Sequence, residues 1–111
     1  MNLKFDKVED KIIIRLIGEL DHHSAEEVRV KIDDRIEREN IKKIIMDFSS
    51  VSFMDSSGIG VVVGRFKKIS QRDGKLYIAG LKKGIYKVFE LSGLFKIINC
   101  CKDVEEALKR I

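Results

Sequence analysis

The fold is organised around residues 51–60, which read Val51-Ser52-Phe53-Met54-Asp55-Ser56-Ser57-Gly58-Ile59-Gly60. This stretch joins the apolar run at 44–48 to a helix-like pattern that begins near Ser57. The polar triplet 55–57 is therefore predicted to lie where a strand passes into a helix. Loops held between rigid elements often carry function, and a helix N-terminus offers unpaired backbone N–H groups to an anion. This junction is the first candidate for a functional site.

The length and composition of the chain are typical of one small globular domain. Its 111 residues, 44% hydrophobic and 36% charged, are enough to bury a core without disulfides or a structural metal. We expect a single domain over residues 1–111. No apolar run approaches the roughly 20 residues of a membrane span, and the first residues lack the layout of a secretory signal. We therefore expect a cytoplasmic protein without a membrane partner.

Cysteine usage and charge narrow the range of partners. Cys100 and Cys101 are sequence neighbours, so a disulfide between them is geometrically poor and we expect reduced thiols near a strand end. The net charge of +4 is modest, and the Lys and Arg residues are spread along the chain beside acids. Few aromatic side chains are available for base stacking. Nucleic-acid binding is weakly supported, and no direct nucleic-acid partner is expected.

The spacing of apolar residues predicts an opening hairpin followed by a helix. Residues 3–8 and 12–17 have the alternation and apolar content of two paired strands. Ser24 and Glu27 have the spacing of a capping box, which predicts the start of an amphipathic helix of roughly 14 residues. Asn40 is predicted to close that helix.

The rest of the chain continues the alternation of strands and helices. Residues 41–48 form the next predicted strand, and a second helix begins near Ser57 and stops at Asp73-Gly74. The predicted inward face of this helix consists of its periodic apolar residues, Ile59, Val62, Val63, Phe66 and Ile69. The remaining predicted elements are a strand at 75–79, a helix at 82–92 stopped by Gly93, a strand at 95–98, and a terminal helix capped by Asp103 with Glu106.

This order of elements defines the fold class. Strands separated by helices imply crossover connections and a largely parallel sheet, to which the opening hairpin adds one antiparallel edge. We therefore predict an α/β (α+β) sandwich with about five strands in a mixed, mostly parallel sheet and about four helices.

An enzymatic function finds little support in the motifs. The nucleophile elbow G-x-S-x-G is absent around Ser56 and Ser57. The only histidines, His22 and His23, are adjacent residues, whose side chains diverge on an extended segment. The same spacing makes them a poor metal site, because zinc normally takes three or four convergent ligands. We expect no catalytic residue, no metal and no cofactor.

Gly58, Gly60 and Gly64 superficially suggest a nucleotide-binding loop. Gly58 and Gly60 begin a G-x-G-x-x-G pattern, but the third glycine position is occupied by Val63, and the P-loop Lys-Ser/Thr pair is missing. We interpret Gly58 and Gly60 as positions at which another backbone approaches the second helix closely.

The pattern around the two serines allows two interpretations. Asp55 or Ser56 is a natural N-cap for the second helix. Alternatively, a serine there is phosphorylated, which adds about −1.5 to −2 charges that a helix N-terminus accommodates and a docked partner does not. The local pattern favours capping and phosphorylation about equally.

Three blocks of the sequence together resemble a known family. The blocks are residues 18–23, residues 53–67 and residues 91–98, which read GELDHH, FMDSSGIGVVVGRFK and LSGLFKII. The chain resembles the STAS family of anti-sigma factor antagonists, and most closely the sporulation branch, whose members antagonise the anti-sigma-F factor. The order of strands and helices in that family matches the predicted order over the whole chain.

The resemblance implies a switch between binding partners. In that family the unphosphorylated antagonist binds an anti-sigma factor that is also a serine kinase and releases sporulation sigma factor F. Phosphorylation of the first serine after the Asp, here Ser56, inactivates it, and a serine phosphatase resets it. The partner-binding positions implied are Asp21, His22, His23, Asp55, Ser56, Ser57, Gly58, Ile59 and Gly60. An antagonist in a general-stress sigma pathway, or a STAS domain that binds a small ligand or nucleotide, are the alternatives.

Overall fold

The computed structural model describes all residues from 1 to 111 and contains one five-stranded sheet and four α-helices. In chain order the elements are β1 Asn2–Val8, β2 Lys11–Leu20, α1 Ala25–Glu39, β3 Lys43–Met54, α2 Ser56–Ser70, β4 Lys75–Ala79, α3 Lys83–Ser92, β5 Asn99–Cys101 and α4 Val104–Arg110. None of these helices combines the length and the apolarity that crossing a membrane requires.

The strands lie in the sheet in the same order as in the chain. β1 and β2 form the predicted antiparallel hairpin, whereas β2, β3, β4 and β5 are parallel neighbours. The parallel pairs are joined through α1, α2 and α3, as crossover connections require. The predicted mixed, mostly parallel sheet with about four helices is therefore confirmed.

The core consists of two apolar clusters, one on each face of the sheet. The larger cluster has 22 buried residues and packs α1, α2 and α3 against one face, where the rings of Phe48 and Phe89 meet edge-on at 5.5 Å. The smaller cluster has four buried residues, including Ile45 and Ala107, and it packs α4 against the other face. Most of the buried apolar surface thus lies on the face that carries α2.

The strand β3 is longer than the pattern predicted. The apolar run was expected to end the strand at residue 48, but β3 continues through three serines, at 49, 50 and 52, to Met54. The extension is paired with the end of β2, from Ile17 opposite Ser50 to Leu20 opposite Met54; one irregularity in the register precedes this stretch and a second lies within it, between Gly18 and Glu19. Pairing with β2 overrides the turn-like local composition, and it carries the chain directly to Asp55.

The prediction of a strand at residues 95–98 is wrong. That segment begins with a 3-10 turn at Leu94–Lys96, and the last strand is Asn99–Cys101. Its backbone bonds are made locally, because the amide of Ile98 donates to the carbonyl of Leu94 at 3.0 Å. Leu94 and Ile98 are buried from this turn, whereas Ile97 is 49% exposed, so the run does not have one buried face as a strand in the sheet would. The free thiols of Cys100 and Cys101 lie in β5, and burial raises the pKa of Cys100 to about 11.

The predicted caps of α1 are half right. Asn40 closes the helix in the left-handed conformation, with φ of 50°. The predicted capping box at the start of α1 is wrong, because the Ser24 hydroxyl donates instead to the carbonyl of Glu19 at 2.8 Å.

The first half of the capping box predicted for α4 is confirmed, since the carboxylate of Asp103 accepts a hydrogen bond from the amide of Glu106 at 2.9 Å.

The inward face of α2 is rotated relative to the prediction. Val62 and Ile69 are buried as expected, together with Gly58, Val61 and Arg65. The predicted inward residues Ile59, Val63 and Phe66 instead lie half-buried at the margin of the core. Two contacts orient the helix in this way. Gly58 packs closely against the ends of β2 and β3, and Arg65 forms a buried ion pair with Asp33 of α1.

Candidate functional site

The candidate site lies at the junction of β3 and α2. The amide of Asp55 donates to the carbonyl of Leu20 at 3.3 Å, which ties the end of β3 to the end of β2. Asp55 is the N-cap of α2, and its Oδ1 accepts the amide of Ser57 at 2.8 Å. Ser56 is the first residue of the helix and is exposed. Since Asp55 caps the helix, the hydroxyl of Ser56 is not needed for that role.

A second loop, residues 21–24 after β2, lies against this junction. The amide of His22 donates to Oδ2 of Asp55 at 3.3 Å. Within the loop, Oδ1 of Asp21 accepts the amides of His23 and Ser24 at 3.0 and 3.1 Å. The structure therefore brings the predicted positions of the first loop next to the predicted positions at 55–60.

The prediction that the two histidine side chains diverge is wrong. His22 and His23 lie in a turn instead of on an extended strand. Their ring centroids are 3.9 Å apart and the ring planes are tilted by 39°. Both residues are exposed, so the site presents a stacked pair of imidazoles beside Asp55.

The interpretation of the glycines is confirmed at one position and wrong at another. A Cβ added to Gly58 would lie 2.5 Å from Cγ of Met54 and 3.0 Å from both Cγ and the carbonyl oxygen of Leu20. Gly58 therefore permits the start of α2 to press against the ends of β2 and β3. Gly60 has no such role, because a Cβ there would meet nothing within 4 Å.

The electrostatic character of the site is acidic. Neither residues 18–28 nor residues 49–64 contain a Lys or Arg, whereas they include the carboxylates of Glu19, Asp21 and Asp55. Partial desolvation, the largest single influence on Asp21, acts to raise its pKa. The hydrogen bonds from Ser24 and His23 together outweigh it and lower the pKa of Asp21 below its usual value.

Phe53 is a further surface feature of the site that was not among the predicted binding positions. It lies two residues before Asp55 on β3, and 49% of its surface is exposed, although Val51 and Met54 on the same strand are buried. A single exposed apolar side chain is common on protein surfaces, so Phe53 alone does not identify a binding partner. The outward direction of Phe53 could not be read from the sequence, because strict alternation along β3 would place it on the buried side with Val51. An irregularity in the pairing of β3 with β2, between Gly18 and Glu19, breaks that alternation.

This arrangement leaves the hydroxyl of Ser56 exposed at the surface. Ser56 stands at the start of a helix whose next two amides are already bonded to Asp55: that of Ser57 to Oδ1 at 2.8 Å and that of Gly58 to the backbone carbonyl at 3.0 Å. Asp55 immediately precedes Ser56, and the exposed ring of Phe53 lies three residues earlier in the chain.

A family model of the STAS domain matches residues 2–107. The chain belongs to the STAS domain family. An anti-sigma F factor antagonist of Paenibacillus polymyxa is 38% identical to this STAS domain over 100% of the chain and 97% of that protein. An anti-sigma-B factor antagonist of Listeria monocytogenes is also 38% identical, over 86% of the chain and 82% of that protein.

Solved structures of a relative confirm the fold. The anti-sigma factor antagonist SpoIIAA in its unphosphorylated form is 34% identical, with a TM-score of 0.75 over 98% of this STAS domain and 96% of that chain. SpoIIAA of Bacillus in the phosphorylated form is 35% identical, with a TM-score of 0.76 and 98% of both chains covered. The resemblance inferred from the three sequence blocks is therefore confirmed.

Proposed function

We propose that this STAS domain is an anti-sigma factor antagonist, which binds an anti-sigma factor with serine kinase activity and thereby releases a sigma factor. Relatives of this name that align over most or all of the chain support the proposal. The sporulation sigma factor F pathway is the version we favour, because the P. polymyxa relative that aligns over the entire chain is an anti-sigma F factor antagonist. A sigma-B pathway is the alternative, since anti-sigma-B relatives are similarly identical.

The phosphoacceptor in this proposal is Ser56. The observation that carries the assignment is that Asp55 caps α2, which leaves the Ser56 hydroxyl exposed and free of a structural task. Ser57 is less exposed, and its amide is held by Asp55 at 2.8 Å. In the transfer, Oγ of Ser56 forms a bond to the γ-phosphorus of ATP, the bond to ADP breaks, and the hydroxyl proton passes to a base of the kinase.

Phosphorylation acts on the complex more than on the fold. The phosphate adds about −1.5 to −2 charges at the N-terminus of α2, where the helix dipole stabilises a negative group by up to ~2 kcal/mol. The surroundings already carry the carboxylates of Glu19, Asp21 and Asp55. A partner surface that accommodates these acids and the neutral serine would have to desolvate or repel the phosphate, at a cost of several kcal/mol.

The proposed partner-binding surface combines the two loops. It contains Asp21, His22 and His23 from the loop after β2, and residues 55–60 from the start of α2; the Asp55 carboxylate joins the two segments. The proposed enzymes are a serine kinase, which is the anti-sigma factor itself, and a serine phosphatase that resets the switch. The domain is their substrate, and no catalytic residue is assigned to it.

The test is incubation with an anti-sigma factor kinase and ATP, followed by mapping of the labelled site and a sigma-release assay. Ser56→Ala is expected to bind the kinase but accept no phosphate, and the matched variant Ser57→Ala is expected to be labelled. Phosphate on Ser57 in the unaltered protein would overturn the assignment. Running the assay with an anti-sigma-F and an anti-sigma-B kinase in parallel identifies the pathway, because only the cognate kinase should release its sigma factor.

A further inference from the structure

We propose that the stacked pair His22 and His23 is the intramolecular counter-ion of a phosphate on Ser56, so that the charge of the switch depends on pH. This inference rests on the proposed phosphorylation of Ser56, and it adds to it a means of regulation. It assigns to the two histidines a role in the phosphorylated domain itself, apart from any contact with the kinase.

The geometry places the pair beside the modified residue. The amide of His22 is bonded to Oδ2 of Asp55 at 3.3 Å, and Asp55 immediately precedes Ser56. The amide of Asp55 donates to the carbonyl of Leu20, which precedes the histidine turn. Asp55 therefore binds the backbone both at Leu20 and at His22, and it holds this turn against the start of α2. The two rings are 3.9 Å apart and exposed, and they can therefore reorient toward a group added at the surface.

The charge distribution leaves these imidazoles as the available bases. The two segments that form the site, residues 18–28 and residues 49–64, contain no Lys or Arg, and their only basic side chains are His22 and His23. The groups of these segments that bear on the pair are all acidic: Glu19 on β2, Asp21 in the turn, Asp55 at the junction, and Glu26 and Glu27 in the first turn of α1.

The basic side chains nearest the start of α1 already form ion pairs with acids of the same helix. Arg29 is paired with Glu26, and Lys31 lies 2.7 Å from Glu27. A phosphate on Ser56 would thus enter an acidic surface whose uncommitted basic side chains in these segments are the two imidazoles; the α-ammonium group of Met1, near Gly18 and Glu27, is the other positive group at this end of the sheet. Acidic neighbours favour the protonated form of an imidazole, and so does a phosphate.

The phosphate and the imidazoles change charge in the same range of pH. A phosphoserine loses its last proton near pH 6, and an unperturbed imidazole changes charge between about pH 5 and pH 8. Groups that interact in this way titrate together, so an imidazolium beside the phosphate lowers the pH at which its last proton is lost. Because the two rings are stacked at 3.9 Å, a second positive charge on the pair is disfavoured, and the phosphate is only partly neutralised.

The consequence is a switch whose strength rises with pH. An imidazolium next to the phosphate offsets part of its charge, so that the phosphorylated domain is less strongly repelled from the kinase. As the pH rises, the phosphate becomes a dianion and an imidazole loses this compensating charge, so that the phosphate stands unshielded beside Glu19, Asp21 and Asp55.

The experiment measures the phosphate directly. Phosphoserine is incorporated at position 56 during translation, so that its presence does not depend on the kinase, and its ³¹P chemical shift is followed from pH 5 to pH 8. The proteins compared are the unaltered sequence, His22→Gln with His23→Gln, His22→Lys with His23→Lys, and Lys109→Gln. Lys109 is an exposed cation on α4 and controls for net charge. Circular dichroism verifies that each variant is folded.

The titration midpoint of the phosphate is expected to rise by about 0.5 pH unit in the glutamine double variant, a roughly threefold gain in proton affinity. The lysine double variant is expected to restore the midpoint or lower it further, and Lys109→Gln to leave it unchanged. Equal midpoints in the unaltered protein and the glutamine double variant would overturn the proposal, as would an equal rise in Lys109→Gln. Failure of the kinase to label Ser56 would instead overturn the proposed function, and it would leave this titration unaffected.

Discussion

The backbone amide of His22 donates a hydrogen bond to Oδ2 of Asp55 at 3.3 Å, across 33 positions of the sequence. The other oxygen of the same carboxylate caps α2 through the amide of Ser57. One side chain therefore fixes both the start of the helix and the neighbouring loop. The exposed hydroxyl of Ser56 takes its position from this arrangement.

Replacement of Asp55 by alanine is expected to destabilise the fold by about 1 kcal/mol, with an upper limit near 2, because an N-cap acceptor is lost together with the bond to His22. Urea denaturation monitored by circular dichroism measures the change. Asp55→Asn is the matched control, since asparagine caps a helix about as well as aspartate and should stay within about 0.5 kcal/mol of the unaltered protein. An equal loss in both variants would mean that the charge, and not the cap, stabilises this junction.

The elements that were predicted correctly are those whose evidence is local. The alternation in β1 and β2 predicted the hairpin, and Asn40 and Gly93 predicted the ends of two helices, where both adopt positive φ. Asp55 was one of two candidate caps. An N-cap can be predicted locally because its side chain bonds an amide only two residues further along the chain.

The features that could not be predicted depend on contacts between distant parts of the chain. The extension of β3 to Met54 is made by pairing with β2, while its serines locally suggest a turn. The bond from His22 to Asp55 and the stacking of the two histidine rings follow from how the β2 loop turns, which the sequence pattern did not reveal. The resemblance to STAS antagonists grouped these residues without explaining their geometry.

A methyl group at position 58 is expected to destabilise the domain by about 1–3 kcal/mol, the usual cost of overpacking. In Gly58→Ala the added Cβ would lie 2.5 Å from Cγ of Met54 and 3.0 Å from the backbone oxygen of Leu20, which cannot easily move. Gly64→Ala is the control on the same helix, because a Cβ there meets nothing within 4 Å. It should stabilise the helix by about 0.5–1 kcal/mol, as alanine does in place of a helical glycine. Thermal and urea unfolding of the pair would contradict this account if both variants shifted in the same direction.

The ion pair between α1 and α2 is expected to be sensitive to loss of its acid. Nε of Arg65 lies 2.8 Å from Oδ1 of Asp33, and these side chains are only 8% and 17% exposed. Burial lowers the pKa of Arg65, and neither its Nε, nor its Nη1, nor Oδ1 of Asp33 makes a hydrogen bond of good geometry, so the pair is held by charge. Asp33→Asn would leave this guanidinium buried beside a neutral group, at a cost of about 3 kcal/mol.

The neighbouring residue supplies the control for that measurement. Asp34 lies 2.8 Å from Arg38 on the exposed face of α1, where such pairs contribute less than about 0.5 kcal/mol. Asp34→Asn should therefore leave the urea midpoint almost unchanged. If the two variants lost equal stability, the pair between Arg65 and Asp33 would be no more important than a surface pair.

Replacement of Ser56 by aspartate is expected to separate folding from binding. A carboxylate at the first position of α2 interacts favourably with the helix dipole by about 0.3–1 kcal/mol, so the variant should fold at least as stably as the unaltered protein. The same charge, added beside Asp55 and Asp21 in the proposed docking surface, should weaken binding to the anti-sigma factor kinase at least tenfold, or about 1.4 kcal/mol.

Isothermal titration calorimetry with the kinase measures the binding of the Ser56→Asp variant, and Ser70→Asp controls for the added charge, because Ser70 is exposed at the opposite end of the same helix. The control should bind with the affinity of the unaltered protein, although an acid near a helix C-terminus costs it a few tenths of a kcal/mol in stability. Unaltered affinity of Ser56→Asp would mean that charge at this position does not exclude the partner. In that case phosphorylation would have to act through the bulk of the phosphate group or through a change in the loop that His22 and Asp55 hold in place.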